Sequence, residues 1–187
     1  MRNILPAAAA AFLALATASA LAQAPAAPPP PFTLSTTAFT DGGVIPDRFT
    51  QAVAAPVSPA LSWINVPAGT QSFAIIMHDP DTAPRKSSVD ILHWMAFNIP
   101  AGATSLPEGV PNDPTLADGT VQPNNFGGKP GFMGPGARGA AYHHYTIELF
   151  ALDTKLNLPA TASRSEVMAA MDGHVIGKTA VEGRFHR

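Results

Sequence analysis

Prolines and glycines interrupt this chain so often that they limit the folds open to it. Its 187 residues include 20 prolines and 15 glycines. Both residue types favour turns, and proline also removes a backbone donor that a helix or a central strand needs. The sequence therefore predicts many turns and short strands rather than a helical bundle.

Apolar segments between these interruptions predict buried strands, since each has the length and composition of a strand. The three clearest segments span residues 72–78, 92–99 and 143–151. Shorter strand patterns begin at Phe32 and Leu61, and residues 174–185 predict a final strand. Residues 101–141 predict no regular element, and ordered loops of this length are commonly functional.

One helix is predicted near the C-terminus. Ser163 is followed three residues later by Glu166, which together form a capping-box pattern. An apolar stripe follows, made by Val167, Met168 and Met171. Gly173 suits the C-terminal cap. Several strands with one late helix favour a mainly β, mainly antiparallel fold.

The composition fits a single globular domain and excludes several kinds of site. Hydrophobic residues make up 46% of the chain and charged residues 13%, which supports a sizeable core and argues against a disordered chain. There is no cysteine, so disulfides, thiolate metal sites and cysteine nucleophiles are excluded. The 11 lysines and arginines are scattered and the net charge is −2, so no nucleic-acid-binding surface is predicted.

The N-terminal residues have the pattern of a secretory signal peptide, which we assign to residues 1–24. A positive charge at Arg2 precedes an apolar run over residues 7–21, and Ala22-Gln23-Ala24 fits the cleavage rule. A retained membrane anchor is the alternative, but the run is short for the ~20 residues of a spanning helix. Cleavage after Ala24 predicts a periplasmic or secreted protein.

The exported chain is predicted to hold two parts. Residues 25–31 form a proline-rich tether, for which an extended conformation is expected. Residues 32–187 have the length of one domain.

Polar residues gather at the ends of the three predicted strands. Asp79 and Asp81 follow the first strand, His93 begins the second, and His143 and Tyr145 open the third. Because side chains alternate along a strand, both histidines are expected at the polar mouth of apolar faces. Each shares its face with an apolar series: Met95, Phe97 and Ile99 for His93, and Ile147 and Leu149 for His143.

This arrangement suits a small cavity for an anion. Imidazolium rings and the tyrosine hydroxyl donate hydrogen bonds, and turn amides near Gly134-Pro135-Gly136 could add others. Carboxylates repel a phosphate, so at least one of Asp79 and Asp81 is expected to orient a histidine, or else to be protonated when the ligand is bound. Anion affinity should fall above about pH 6.5, where ordinary histidines deprotonate.

Taken singly, these features are commonly structural, because Asp-Pro-Asp is usually a turn and a strand histidine usually a packing residue. No site role is assigned to the other four histidines: His78, His144, His174 and His186.

Short motifs around the candidate residues occur in a characteristic order. They are SPALSW at 58–63, VPAGT at 66–70, DPDTAP at 79–84, HWMAFNIP at 93–100, NNFG at 124–127, HHY at 143–145 and MDGHV at 171–175. Together they resemble the phosphatidylethanolamine-binding protein family, in particular its bacterial Raf-kinase-inhibitor-like branch, over residues 32–185. The resemblance implies a β-sandwich-like fold with a central antiparallel sheet, a short helix in the C-terminal region, and a pocket for phosphate-like groups.

The resemblance also implies which residues bind the ligand. Six positions match: Asp79 and Asp81 (the acidic pair), Pro84 (closing their loop), His93, His143 and Tyr145. Two departures stand beside these matches. Gly134–Gly139 replaces a segment that commonly carries paired prolines, which puts the pocket wall in doubt, and His144 stands where relatives often carry arginine.

The expected function is that of an exported, non-enzymatic binding protein for a small anion such as phosphate or phosphorylethanolamine, without a cofactor. An inhibitor or regulator of a protease or other enzyme is the alternative, acting through residues 101–141. A hydrolase is less favoured, because the chain has no Gly-x-Ser-x-Gly or His-Glu-x-x-His motif. Four site residues could in principle bind a divalent metal: Asp79, Asp81, His93 and His143. Bacterial relatives are often dimeric, so a homodimer is left open.

Overall fold

The structure is a computed structural model that describes residues 28–82, 84 and 88–187. The assigned signal peptide and residues 25–27 of the tether lie outside the described residues. Residues 28–31 are exposed and without regular secondary structure. Within the described ranges, no helix has the length and apolar character needed to cross a membrane.

Two β-sheets pack face to face and form an open sandwich. The larger sheet has five strands in the order β2-β8-β7-β4-β5, and the smaller has three in the order β1-β3-β6. The strands are β1 (Thr33–Thr36), β2 (Gly43–Val44), β3 (Leu61–Ile64), β4 (Ser72–Asp79), β5 (Ile91–Pro100), β6 (Ser105–Leu106), β7 (His143–Leu152) and β8 (Val175–Phe185). The pairings are antiparallel except β2 with β8, which is parallel. The predicted mainly β, sandwich-like fold is confirmed.

Two apolar clusters fill the space on either side of the larger sheet. The first lies between the sheets and joins Trp63 of the smaller sheet to Phe73 and Ile147 of the larger one. The second covers the opposite face, where Ile76 and Phe150 pack with the helix residue Val167. Alternation along β4 and β7 produces both clusters, because successive residues point to opposite faces.

The predicted helix is α1, Arg164–Met171. Its N-terminus carries the expected capping box between Ser163 and Glu166. Val167 and Met171 are buried as predicted, but Met168 is 37% exposed and was wrongly placed in the apolar stripe. Gly173 follows the helix with φ of +80°, a conformation that glycine adopts without steric cost.

Strand β5 departs from simple alternation because it contains a bulge at His93. Met77 pairs with Trp94 and His78 pairs with Leu92, so the register steps over His93. A bulge turns the extra side chain away from its regular direction. His93 therefore points to the side of Trp94 and the first cluster, with its ring centroid 5.1 Å from that of Tyr145.

The expectation that His93 shares a face with Met95 and Phe97 was wrong, since both belong to the second cluster. Ile99 returns to the first cluster after a second irregularity, where Asn98 has φ of +59°.

Residues 101–141 are more ordered than the sequence predicts. The expectation of no regular element was wrong, because β6 pairs with β3 through Leu106 and Leu61. Gln122 holds the middle of the segment: its amide oxygen accepts a hydrogen bond from Trp94 Nε1 at 2.8 Å. Its Nε2 donates to the carbonyls of Pro111 and Asp113. The segment thereby forms a fixed wall beside β5.

Candidate functional site

A cavity of about 370 Å³ opens where β4, β5 and β7 meet residues 126–138. Its polar lining includes Gln51, Asp79, Thr82, His93, Arg138, His143 and Tyr145. Four of the six residues predicted from the resemblance are therefore brought together: Asp79, His93, His143 and Tyr145. The strands position three of them, because Asp79 ends β4 while His143 and Tyr145 lie at the start of the antiparallel neighbour β7.

Asp79 is 3% exposed and orients His143. Its Oδ2 lies 2.8 Å from His143 Nδ1, and its Oδ1 accepts a hydrogen bond from the backbone amide of Asp81 at 2.9 Å. Thr82 Oγ1 is a second neighbour of the same ring nitrogen, at 3.0 Å. Since Nδ1 is occupied, Nε2 is the atom that the His143 ring can offer to a ligand.

His93 is held in the same manner by a backbone carbonyl. Its Nδ1 donates to the carbonyl oxygen of Met133 at 2.8 Å. Burial lowers the pKa of His93 below its ordinary value of 6.5, and the Met133 carbonyl and the charge of Asp79 oppose this only in part. The His93 ring is therefore neutral at pH 7 in the absence of a ligand, and an anion that binds it favours uptake of a proton.

Tyr145 fixes the wall of the cavity. Its hydroxyl accepts hydrogen bonds from the backbone amides of Gly136 at 3.2 Å and Ala137 at 3.0 Å. Burial raises the pKa of Tyr145 to about 12, so the hydroxyl stays protonated. The Gly136 amide, which lies in the turn expected to offer free donors, is occupied by this hydroxyl.

The segment that lacks paired prolines is held by further hydrogen bonds. Gln51 Nε2 donates to the Gly134 carbonyl, and the Gln51 amide donates to the Pro135 carbonyl, both at 2.8 Å. A Cβ on Gly136 would lie 2.6 Å from Gln51 Nε2, so a larger residue would push this contact apart. Hydrogen bonds from the backbone and the side chain of Gln51 thus fix a wall that the sequence left in doubt.

The other two predicted residues lie away from the cavity lining. Asp81 turns to the surface, where its Oδ2 accepts from the backbone amide of His144 at 2.7 Å and from His144 Nδ1 at 2.8 Å. The amide hydrogen bond from His144 is the main cause that holds the pKa of Asp81 below its ordinary value. Pro84 is half-buried and does not contribute to the lining.

Three polar lining residues, Gln51, Thr82 and Arg138, were not predicted from the sequence. Arg138 carries a permanent positive charge and is exposed at the cavity. It lies in a glycine-rich segment without strand periodicity, so no spacing pattern could place it. The one feature of the sequence that could have indicated Arg138 is its positive charge between Gly136 and Gly139. This segment is the one where the chain departs from the family pattern.

Among the described residues, no group of three or more histidine, aspartate or glutamate side chains is arranged to hold a metal ion. The acidic and basic side chains of the cavity are instead two oriented imidazoles, one carboxylate and one guanidinium, beside the polar side chains of Gln51, Thr82 and Tyr145. Such a set can donate hydrogen bonds to a small anion once the imidazoles are protonated.

Sequence comparisons connect the chain to one family. A family model described as phosphatidylethanolamine-binding protein matches residues 35–186. A UPF0098 protein of Methanothermobacter thermautotrophicus is 44% identical over 154 residues, which is 82% of this chain and 98% of the relative. A relative from Mycobacterium tuberculosis, LppC, whose name marks it as a candidate lipoprotein, is 33% identical over 156 residues, covering 83% of this chain and 72% of its own length.

Solved structures lead to the same family. Escherichia coli YbcL, described as a new member of the mammalian PEBP family, aligns with a TM-score of 0.73 and 31% identity, covering 83% of this chain and 98% of YbcL. The homologue CT736 of Chlamydia trachomatis aligns with a TM-score of 0.74 and 28% identity, covering 84% of this chain and 98% of CT736. The chain therefore belongs to the phosphatidylethanolamine-binding protein family, and the bacterial branch that its motifs resemble fits these relatives.

Proposed function

We propose that this chain is an exported, non-enzymatic binding protein whose cavity takes a small anion such as phosphate or a phosphorylethanolamine headgroup. The observation that carries the proposal is the set of cationic or protonatable groups around one cavity: His93, His143 and Arg138. The family description names a phospholipid whose headgroup contains a phosphate, which supports the same class of ligand.

The charges of the cavity suit an anion because its carboxylate is already occupied. Asp79 is engaged by His143, so its negative charge acts first on that ring rather than on a ligand. Arg138 adds a permanent positive charge, and guanidinium groups bind phosphate oxygens through paired N–H donors.

Binding should take up protons, which gives the proposal a signature in pH. Burial lowers the pKa of His93, so its ring is neutral at pH 7. The ring takes up a proton when an anion binds beside it, because the negative charge stabilises the imidazolium form. Phosphate affinity is therefore expected to rise as the pH falls from 7 to 6. Calorimetry in two buffers of different ionisation enthalpy measures the net proton uptake, to which phosphate contributes because its second ionisation lies near neutral pH. His93→Ala separates the two sources, and a proton uptake equal to that of the native chain would contradict the role of His93.

The roles of the polar groups support binding rather than turnover. Asp79 and Tyr145 are engaged in holding the cavity, and with a pKa of about 12 the Tyr145 hydroxyl is a poor base at neutral pH. A screen of phosphomonoesters and carboxylic esters is expected to give no turnover. Hydrolysis that is lost in His143→Ala would overturn the non-enzymatic part of the proposal.

Export is proposed from the N-terminal sequence. Residues 1–24 have the signal-peptide pattern, and the name of the Mycobacterium tuberculosis relative points to the cell envelope. We expect the mature chain in the periplasm or the medium, and N-terminal sequencing of protein from those fractions tests the cleavage after Ala24.

The central experiment is calorimetric titration with inorganic phosphate and O-phosphoethanolamine, with ethanolamine as the control that lacks the phosphate group. His93→Ala and His143→Ala are each expected to weaken phosphate binding by about ten- to a hundredfold, since a hydrogen bond to a charged group contributes about 1.5–3 kcal/mol. His174→Ala is the matched control, because His174 pairs with Asp153 at the surface and does not line the cavity. Unchanged affinity in both cavity variants would remove the site assignment.

A further inference from the structure

A second cavity of about 590 Å³ lies directly beside the anion cavity. The two cavities share Gln51 and Met133 in their linings, and Gly134 lines the second. Each volume alone is within the ~300–1,000 Å³ typical of small-molecule sites. A ligand larger than phosphate could therefore occupy both at once.

Residues common to the two linings lie between the cavities. They are Gln51 and Met133, and Gln51 Nε2 donates a 2.8 Å hydrogen bond to the carbonyl of Gly134, which lines the second cavity. A Cβ on Gly134 would lie 2.8 Å from the Phe49 carbonyl oxygen and 2.9 Å from Pro56 Cβ. Only glycine fits there, so Gly134 packs directly against residues 49–56, and the linings of the two cavities meet at Gln51 and Met133.

The walls of the second cavity are fixed by their own hydrogen bonds. Asn112 Oδ1 accepts from the Phe132 amide at 2.9 Å, and Asn125 Nδ2 donates to the Gly131 carbonyl at 3.0 Å. Because these amides are engaged, the second cavity is a preformed space rather than a loose surface between loops.

The charge of this cavity is carried by Lys129. Lys129 is the one charged residue in the lining that the structure describes, and none of the described carboxylates lies within ion-pair distance of its ammonium group. Lys129 is exposed, and because its ammonium group has no carboxylate partner among the described residues it attracts a negative group that enters this cavity, with a strength that depends on salt.

We infer that the second cavity binds the distal part of the same ligand, and that this part carries a second anionic group that Lys129 recognises. The inference rests on the proposed function, since the first anionic group occupies the cavity of His93, His143 and Arg138. The ligand class is thus a flexible molecule with two separated anionic groups, each of them a phosphate, phosphonate or carboxylate.

Calorimetry with methylphosphonate and with unbranched alkane bisphosphonates of increasing spacer length tests the inference. Methylphosphonate probes the first cavity alone, and each bisphosphonate carries a second anionic group. At one or more spacer lengths the bisphosphonate should bind about tenfold tighter than methylphosphonate, because the second contact is intramolecular. Lys129→Gln should remove this gain and leave methylphosphonate affinity unchanged, and Lys155→Gln, at an exposed lysine that lines neither cavity, should retain it.

The outcomes separate the two proposals. If methylphosphonate binds but no bisphosphonate gains more than the statistical advantage of two equal groups, the inference fails and the proposed function stands. The same holds if Lys129→Gln weakens both probes equally, or if Lys155→Gln removes as much of the gain as Lys129→Gln. If methylphosphonate and phosphate do not bind the native chain, the proposed function fails and the inference falls with it.

Discussion

The two faces of the five-stranded sheet use charged residues in opposite ways. On the face covered by α1, a cluster of five charged or protonatable groups is fully paired. Asp90 accepts from Arg164 and lies 2.5 Å from His78 Nδ1. Glu148 lies 2.5 Å from Lys178 Nζ and 3.7 Å from His78 Nε2. Each group there has a partner within the protein.

On the cavity face, pairing is incomplete. Asp79 engages His143, whereas His93 is held only by carbonyl oxygens and Arg138 forms no ion pair with any described residue. The helix face thus uses its charges to join β4, β7, β8 and α1, while the cavity face leaves donors for a ligand. The comparison predicts that disturbing the helix face changes stability alone, and that disturbing the cavity face changes binding as well.

The largest expected effect is on the cavity face, from Tyr145→Phe. The variant leaves the amides of Gly136 and Ala137 without their buried acceptor, and each unsatisfied group costs about 1–3 kcal/mol. The free energy of unfolding should fall by about 3 kcal/mol, and phosphate affinity should fall with it because the wall loosens. Denaturant unfolding and calorimetry measure both quantities.

Tyr142→Phe is the matched control, since Tyr142 is 41% exposed and neither change removes a ring. Equal losses of stability in the two variants would show that the Tyr145 hydroxyl does not hold the wall.

On the helix face, Asp90→Asn should cost about 2 kcal/mol of stability, in the range of a hydrogen bond to a charged group. The variant keeps the shape of the side chain but removes the charge that faces Arg164 and His78. Phosphate affinity should remain that of the native chain. If Asp90→Asn weakened phosphate binding as much as His143→Ala does, the helix face would also contribute to binding and the proposed difference between the two faces would be wrong.

Local sequence patterns were sufficient to predict the strands and the helix that form the two faces of the larger sheet. The strands β4, β5 and β7 follow from apolar segments that end at proline or at turn residues, and α1 follows from the Ser163–Glu166 capping box. Their boundaries shift by only one or two residues, because short-range propensity and side-chain period determine them.

Features that depend on pairing between strands could not be predicted. The bulge at His93 exists only in the register of β5 against β4. Asp79 and Asp81 belong to one Asp-Pro-Asp motif, and their different directions depend on how the chain turns after β4. Arg138 reaches the cavity because its neighbours Ala137 and Gly139 bond to Arg187 at the far end of the chain.

His93 gives the cavity face a pH dependence of stability. Its pKa is below 6.5 in the folded chain because of burial, so the unfolded chain binds the proton more readily. Stability from this residue is therefore present above about pH 6.5 and is lost as the pH falls toward the lowered pKa, by up to ~1.4 kcal/mol per pH unit. Relative to the native chain, His93→Gln should flatten the loss of stability between pH 7 and 5.5, whereas His174→Ala should not. Parallel curves for His93→Gln and the native chain would contradict this assignment.

The smallest effect on stability and binding is expected from Asp81→Asn. This variant tests the difference between two neighbouring histidine–aspartate pairs at the same end of the sheet, His144–Asp81 and His143–Asp79. The side chain of Asp81 is 41% exposed, while that of Asp79 is 4% exposed. Exposed ion pairs contribute about 0–1 kcal/mol, because water and salt screen them.

The family resemblance predicts that Asp81 contributes to ligand binding, whereas the geometry places its carboxylate on His144, outside the cavity lining. We expect Asp81→Asn to change stability by less than about 1 kcal/mol and to leave phosphate affinity unchanged, while Asp79→Asn releases His143 and weakens binding. Calorimetry on both variants decides between the two expectations. A tenfold loss of phosphate affinity in Asp81→Asn would mean that the ligand draws Asp81 into the site. The buried pair of Asp79 and His143 alone would then not define the binding site.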